Sequence, residues 1–196
     1  MRKKAIHFSL IILFISLASF TTLKDSYKLD VGHTYVGFDV ERFMVGEVSG
    51  RFNEFTANLK MEGDNYNSLE LEATINVNSI DSNNKIRDGH LKSETWLYAN
   101  KYPNIKFRSS KIYNKKNQLI MKGNFTIRGI TKEVEFPIEV IGPFKDPTQK
   151  TTIGLKADFI INRFDYGINL SKKLSNGSYF IGKDVKIKIR ALAIKN

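Results

Sequence analysis

Period-two alternation of apolar and polar side chains recurs along most of this chain and restricts it to sheets with one buried face. Leu69, Leu71, Ala73, Ile75 and Val77 alternate with Glu70, Glu72, Thr74 and Asn76. Phe55, Ala57, Leu59 and Met61 form another such row, as do Val134, Phe136, Ile138 and Val140. Ile153, Leu155, Ala157, Phe159 and Ile161 repeat it, and Val185, Ile187, Ile189, Ala191 and Ala193 do so last. Successive strand residues face opposite sides, so each row buries one face and wets the other, as antiparallel sheets do. About eight runs follow from this pattern, at 34–43, 48–61, 69–77, 105–113, 118–127, 132–142, 151–162 and 184–194. Turn residues separate them: Gly63-Asp64-Asn65, 114–117, Arg128-Gly129 and Asn176-Gly177, with Pro143 and Pro147 bracketing a longer turn. The short connections make sequential strands antiparallel neighbours. There is no βαβ spacing and no long internal repeat.

Two stretches break the pattern. From 81 to 99, polar residues mix with Leu91, Trp96, Leu97 and Tyr98, which predicts a short helix over about 85–97 that closes one end of a barrel. The second, 162–183, joins the last two strands. Long antiparallel strands expose their edges unless the sheet closes on itself. The expected fold is therefore all-β, an eight-stranded antiparallel barrel with room inside for packed side chains or one small ligand. A two-sheet sandwich would bury the same rows and is the alternative.

The N-terminus is unlike the rest. Arg2, Lys3 and Lys4 precede a run from Ala5 to Phe20 without Asp, Glu, Lys or Arg, and Ser16 and Ala18 are small residues spaced as in a signal-peptidase site. This is the build of a secretory signal peptide, expected over 1–18 and leaving a barrel domain over 19–196. An uncleaved anchor is the rival use, because the apolar run approaches spanning length. Removal of the three basic residues lowers the net charge from +11 by three, to +8. Much of that charge sits at alternate strand positions, as in Lys186, Lys188 and Arg190, and reads as a solvated outer face. Export and the lack of an RNA-binding sheet motif argue against a nucleic-acid partner. Peripheral contact with anionic membrane is compatible with the charge, and the sequence leaves a homodimer open. The chain has no cysteine, which excludes disulfides, Cys-ligated zinc, a Cys nucleophile and a lipidated Cys anchor.

Catalytic signals are sparse. His33 and His90 are the histidines beyond the signal segment. Ser79, Asp81 and His90 match no nucleophile motif, and there is no Gly-x-Ser-x-Gly, His-Glu-x-x-His or phosphate loop. No cofactor or metal is expected. Arg87-Asp88 and Arg163 with Asp165 read as ion pairs that pin irregular segments to the barrel. The alternative places their guanidinium groups at a ligand's polar head. The Phe-rich inner rows suit a filled core and a lined apolar pocket equally well.

Several blocks resemble one family in order and spacing. They are Leu29-Asp30-Val31-Gly32-His33-Thr34, the element from Gly50 to Phe55, and Ser79-Ile80-Asp81 with Arg87-Asp88-Gly89-His90-Leu91-Lys92-Ser93. Tyr102-Pro103-Asn104-Ile105-Lys106-Phe107, the hairpin from Gly123 to Lys132, Arg163-Phe164-Asp165-Tyr166-Gly167-Ile168 and Gly182-Lys183-Asp184-Val185 complete the series. Over about 27–194 the chain resembles the YceI-like family of exported, lipocalin-like polyisoprenoid-binding proteins. The resemblance implies a lipocalin-like barrel, closed at one end by a helical segment, that holds a long-chain isoprenoid or similar lipid. It departs at Arg42, near which the family often has a histidine, and at Thr34 in place of serine. The inward-facing residues expected to meet the lipid are Phe38, Val40, Leu71, Ile75, Phe107, Phe125, Phe136, Ile138, Phe159 and Ile161, with Trp96 and Tyr98 near the closed end. The expectation is a non-enzymatic periplasmic or secreted carrier or store. Its rivals are an enzyme acting on a lipid, with His33, His90, Arg87 and Asp88 at the mouth, and a ligand-free stress or adhesion module.

Overall fold

The computed structural model describes residues 23–170 and 172–196; the expected signal segment, 1–18, lies outside them. The strands are β1 (Asp25–Leu29), β2 (Tyr35–Arg42), β3 (Gly46–Phe52), β4 (Phe55–Glu62), β5 (Asn65–Asn76), β6 (Ile80–Asp81), β7 (Asn104–Lys115), β8 (Gln118–Ile127), β9 (Ile130–Lys145), β10 (Thr151–Asn162) and β11 (Ile181–Lys195), with helix α1 (Lys85–Lys92) between β6 and β7. Eight of them form a closed antiparallel ring, β1-β4-β5-β7-β8-β9-β10-β11, with β1 returning to β11. β11 is long enough to take two partners on one edge. Ala193 to Lys195 pair with β1, and the stretch from Ile181 to Arg190 pairs with β2. β2 then pairs with β3, and β3 with β6, so the ring carries a three-strand extension.

Local chemistry accounts for the connections. Lys116-Asn117 and Arg128-Gly129 have left-handed backbones at both residues, as two-residue hairpins between twisted strands require. Asp146 accepts from the backbone N–H groups of Thr148 and Lys150 and holds the β9–β10 turn. Helix α1 starts where expected, with the Asn84 side chain accepting from Arg87 N–H at 3.0 Å. It stops at Lys92 and does not reach 97, because Ser93 turns both its N–H and its hydroxyl back to the His90 carbonyl.

Two more boundaries differ from the sequence pattern. The run 48–61 is two strands with different partners, since Asn53 and Glu54 leave the ladder. Asn53 N–H donates to the Ser79 carbonyl, and Asn76 N–H donates to the Glu54 carbonyl. β9 continues through Pro143 to Lys145, so the turn occupies only 146–150.

The inward rows are the apolar rows read from the sequence. Around β7 the alternation is interrupted by a register shift between Ser109 and Lys111, which brings Ile112 into the core. The barrel end bearing the β4–β5, β7–β8 and β9–β10 turns is filled by Met61, Leu69, Ile112, Ile153 and Ala193. The half beneath α1 is hollow.

On the outer wall, Asp39 is buried. It accepts from Ser49 Oγ at 2.6 Å, and Lys188 Nζ lies 2.5 Å from its Oδ2, outside good hydrogen-bond alignment. Burial opposes the charge, but Lys188 and Ser49 outweigh it and hold the carboxyl below the usual aspartate range. The stabilisation this gives is full above pH 3.8, the ordinary value, and fades as pH falls from there through the lowered one. Asp39→Asn is expected to cost about 1–3 kcal/mol at pH 7 and to flatten the acid limb of thermal stability, as followed by circular dichroism from pH 5 downward.

Gly123 is a close-packed point. A Cβ there would lie 2.5 Å from the Arg108 carbonyl oxygen and 2.6 Å from the Phe107 ring. Gly123→Ala is expected to lose roughly 1–3 kcal/mol in urea unfolding, because the backbone oxygen cannot move aside cheaply.

A candidate ligand cavity

The hollow half of the barrel holds a cavity of about 200 Å³. Every strand of the ring lines it, β1 only through Leu29 and β9 only through Phe136, and Leu91, Trp96 and Leu97 cover it from the α1 segment. Thr34, Thr56 and Arg163 are the polar side chains among the lining residues. The room comes from small residues placed on inward rows. Ala57 and Ala73 face each other across β4 and β5, and Ala157 and Ala191 line β10 and β11.

Ten of the twelve residues expected to face the ligand line this cavity: Phe38, Val40, Leu71, Ile75, Trp96, Phe107, Phe125, Phe136, Phe159 and Ile161. Ile138 and Tyr98 do not. Ile138 points inward but pairs with Leu119, one step past the Met121–Phe136 pair toward the filled end. Tyr98 has a left-handed backbone (φ 53°) that turns its ring onto Tyr102, 5.9 Å away, and Lys101.

Aromatic rings organise one wall. Phe136 and Phe159 stack at 4.0 Å with their planes 9° apart. Phe107 lies 5.6 Å from Phe136, and Phe125 lies 6.2 Å from Phe159, in tilted or edge contacts. Offset and edge arrangements of this kind add attraction beyond the area they bury.

Arg163 is the one charged lining residue and is 3% exposed. Neither expected ion pair forms. The Arg163 guanidinium instead donates to four backbone carbonyls, those of Gly182 (2.9 Å), Ile168 (2.5 Å), Leu170 (2.7 Å) and Ile181 (3.0 Å). Its planar fork spans carbonyls from two segments and ties the irregular 163–170 stretch to the start of β11. Burial pulls its pKa below the ordinary arginine value, although arginine keeps its proton in proteins. The cation also lies 5.6 Å from the Trp96 ring centre, which braces the cavity cover. Arg128 adds a second tie, donating to the Trp96 carbonyl at 2.8 Å.

Arg87 and Asp88 behave similarly. Asp88 accepts from the Ser82 N–H and hydroxyl, and Arg87 donates to the Ser82 hydroxyl and carbonyl, so both anchor the start of α1. His33 is 76% exposed at its side chain and pairs with Asp30 at 2.9 Å. His90 is exposed on α1. None of these four lines the cavity, and no cluster of three metal-binding side chains occurs among the described residues.

Sequence reasoning passed over the four alanines and the partners of Arg163, whose expected role, pinning an irregular segment to the barrel, is met through carbonyls. The alanines were visible as small residues on otherwise bulky inward rows. Arg163's partners are backbone groups, which carry no residue-type signal.

Comparison with known proteins agrees with this geometry. The model of the YceI-like domain matches residues 27–193. The UPF0312 proteins SA2479 and SAUSA300_2620 of Staphylococcus aureus strains N315 and USA300 are each 32% identical over 167 residues, 85% of this chain and 95% of theirs. Among solved structures, Burkholderia cenocepacia BcnA is similar with a TM-score of 0.72 and 22% identity, over 84% of this chain and 98% of that one. The Campylobacter jejuni YCEI protein gives a TM-score of 0.67 at 26% identity, over 80% and 90%. A polyisoprenoid binding domain from Saccharophagus degradans gives 0.67 at 13%, over 87% and 98%.

Arg163→Met is expected to lower stability by roughly 2–4 kcal/mol in urea unfolding, because it strands buried carbonyls. Arg163→Lys is expected to recover less than half of that, since an ammonium is a point donor and cannot span four acceptors.

Proposed function

We propose, from the premise that this chain belongs to the YceI-like domain family, that it is an exported protein that binds a long apolar lipid, an isoprenoid, inside the barrel and carries or stores it in the periplasm or outside the cell. The observation that carries this reading is the cavity. Its lining is apolar apart from two threonines and an arginine already occupied by backbone carbonyls. Such a surface offers a hydrocarbon a dry environment and asks little of its head group.

The energetics suit a carrier. A methylene moved from water into the cavity gains about 0.8 kcal/mol, so a long chain is held against the aqueous phase. Moved from a bilayer, the same methylene gains almost nothing, because lipid tails are as apolar as Phe and Ile. Loading and unloading at membranes are then close to balanced. At about 200 Å³ the cavity is smaller than the roughly 300–1,000 Å³ of drug-sized ligand sites. A long chain therefore requires lining side chains to move aside. The binding of a polyisoprenoid by the similarly folded Saccharophagus degradans domain supports the choice of ligand class.

Native mass spectrometry of the processed protein, followed by organic extraction, is expected to show one long-chain isoprenoid per barrel. A protein that emerges empty and refuses added polyprenol overturns the reading. Ala73→Phe fills the cavity from β5 and is expected to weaken polyprenol binding roughly tenfold or more, through lost methylene burial, with circular dichroism unchanged.

A further inference from the structure

The cavity end of the barrel carries exposed apolar side chains on each of its connections. The β2–β3 turn is Phe43-Met44-Val45, and Val45 is 93% exposed. Ile86 stands out from α1 in the β6–β7 connection, Ile130 follows the β8–β9 turn, and Leu170 lies in the β10–β11 connection. The turns at the opposite end, 63–64, 116–117 and 146–150, carry no large apolar side chain, but Leu23, Ile141 and Phe144 beside them are exposed, so the backbone of the β2–β3 turn, and not exposure alone, singles out the cavity end.

The β2–β3 turn departs from local preference. Phe43 and Met44 both have left-handed backbones, at φ 54° and 65°. Bulky residues are disfavoured there, and Asn, Asp or Gly would be cheaper. The turn therefore exposes apolar surface and accepts backbone strain at once.

Its surroundings carry both charges, with Glu41 and Glu47 exposed on the hairpin and Glu47 paired with Lys186 at 3.0 Å, and the cations nearest the tip are unpaired among the described residues. Phe43 N–H donates to the Phe180 carbonyl, which docks the turn on the ribbon formed by Lys173 and Tyr179. The Phe43 and Phe180 rings meet edge-on at 4.4 Å, and Arg42 lies over both, 5.2 and 5.0 Å from their centres. Lys172 and Lys173 are exposed on the same ribbon. Among the described residues, Arg42, Lys172 and Lys173 have no carboxylate within 4 Å.

We infer that this tip is a membrane-docking site. Phe43, Met44 and Val45 insert at the interface of an anionic bilayer, and Arg42, Lys172 and Lys173 meet its phosphates. Apolar insertion with adjacent cations is how peripheral segments hold anionic lipid surfaces. The tip also continues the cavity wall, because the lining residue Val40 lies three positions before Phe43 and the lining residue Ile168 two before Leu170. Docking itself does not require the cavity to carry lipid.

The test is co-sedimentation of the processed protein with vesicles of phosphatidylcholine alone or with added phosphatidylglycerol. Binding is expected on the anionic vesicles and to weaken as salt rises. Lys172→Gln with Lys173→Gln is expected to reduce it about thirtyfold. Met44→Gly with Val45→Ser relieves one strained position and leaves the Phe43–Phe180 contact in place, so it is expected to unfold no earlier than the wild type yet lose roughly tenfold or more in vesicle binding. Val45→Trp is expected to show a blue-shifted emission component on binding. Absence of wild-type binding, or binding that survives both double substitutions, overturns the inference. So does a tip-dependent dimer in analytical ultracentrifugation without vesicle binding, which would assign the surface to a second copy of the chain.

Discussion

Three residues at each end of the described chain make the sheet a ring. Tyr27 to Leu29 pair with Lys195 to Ala193 and occupy the remaining free edge of β11 next to its pairing with β2. Without that junction, β1 and β11 would each present a row of unpaired backbone groups. With it, the eight ring strands share one inside. A one-residue slip anywhere would turn a whole apolar row to water, so closure and register reinforce each other.

The ring alone would fill itself with side chains. The difference between its two halves lies in side-chain size. Met61, Leu69, Ile112 and Ile153 pack the end with short polar turns. Alanines at 57, 73, 157 and 191 leave space toward the other end, which the α1 segment covers. That cover is held by arginines acting on backbone carbonyls. Arg163 and Arg128 use planar donor forks where a helix or strand would have used its own ladder, which is how an irregular stretch meets its hydrogen-bond needs beside an apolar cavity.

The proposed lipid exchange would bring the two ends of this picture together. A hydrocarbon gains little on moving from a bilayer to an apolar cavity, so the barrier to exchange is contact with water on the way. At the cavity end the connections carry exposed apolar side chains; at the packed end the turns themselves do not, although Leu23, Ile141 and Phe144 beside them are exposed. This polarity follows from the topology. In an antiparallel barrel, alternate connections share an end, and all four at the cavity end carry such residues.

Much of this was legible in the sequence. Period-two rows set which side chains face inward, because strand geometry alternates them without reference to partners. Turn residues such as Arg128-Gly129 marked hairpins through their tolerance of left-handed backbone. Nine of the ten chosen residues that line the cavity do so for the same reason, Trp96 coming from the irregular segment, and the need to close strand edges gave the barrel, with which the ordered family blocks agree. The tertiary structure decided the rest. The break at Asn53-Glu54 depends on Ser79 arriving alongside, the register shift at Ser109–Lys111 depends on β8, and the place of Ile138 depends on where the packed plug ends. Arg163 took carbonyls in place of Asp165 because its partners come from residues up to 19 positions away. Periodicity is a local property of the chain, whereas partners, cavity and exposed tip depend on which distant segments closure brings together.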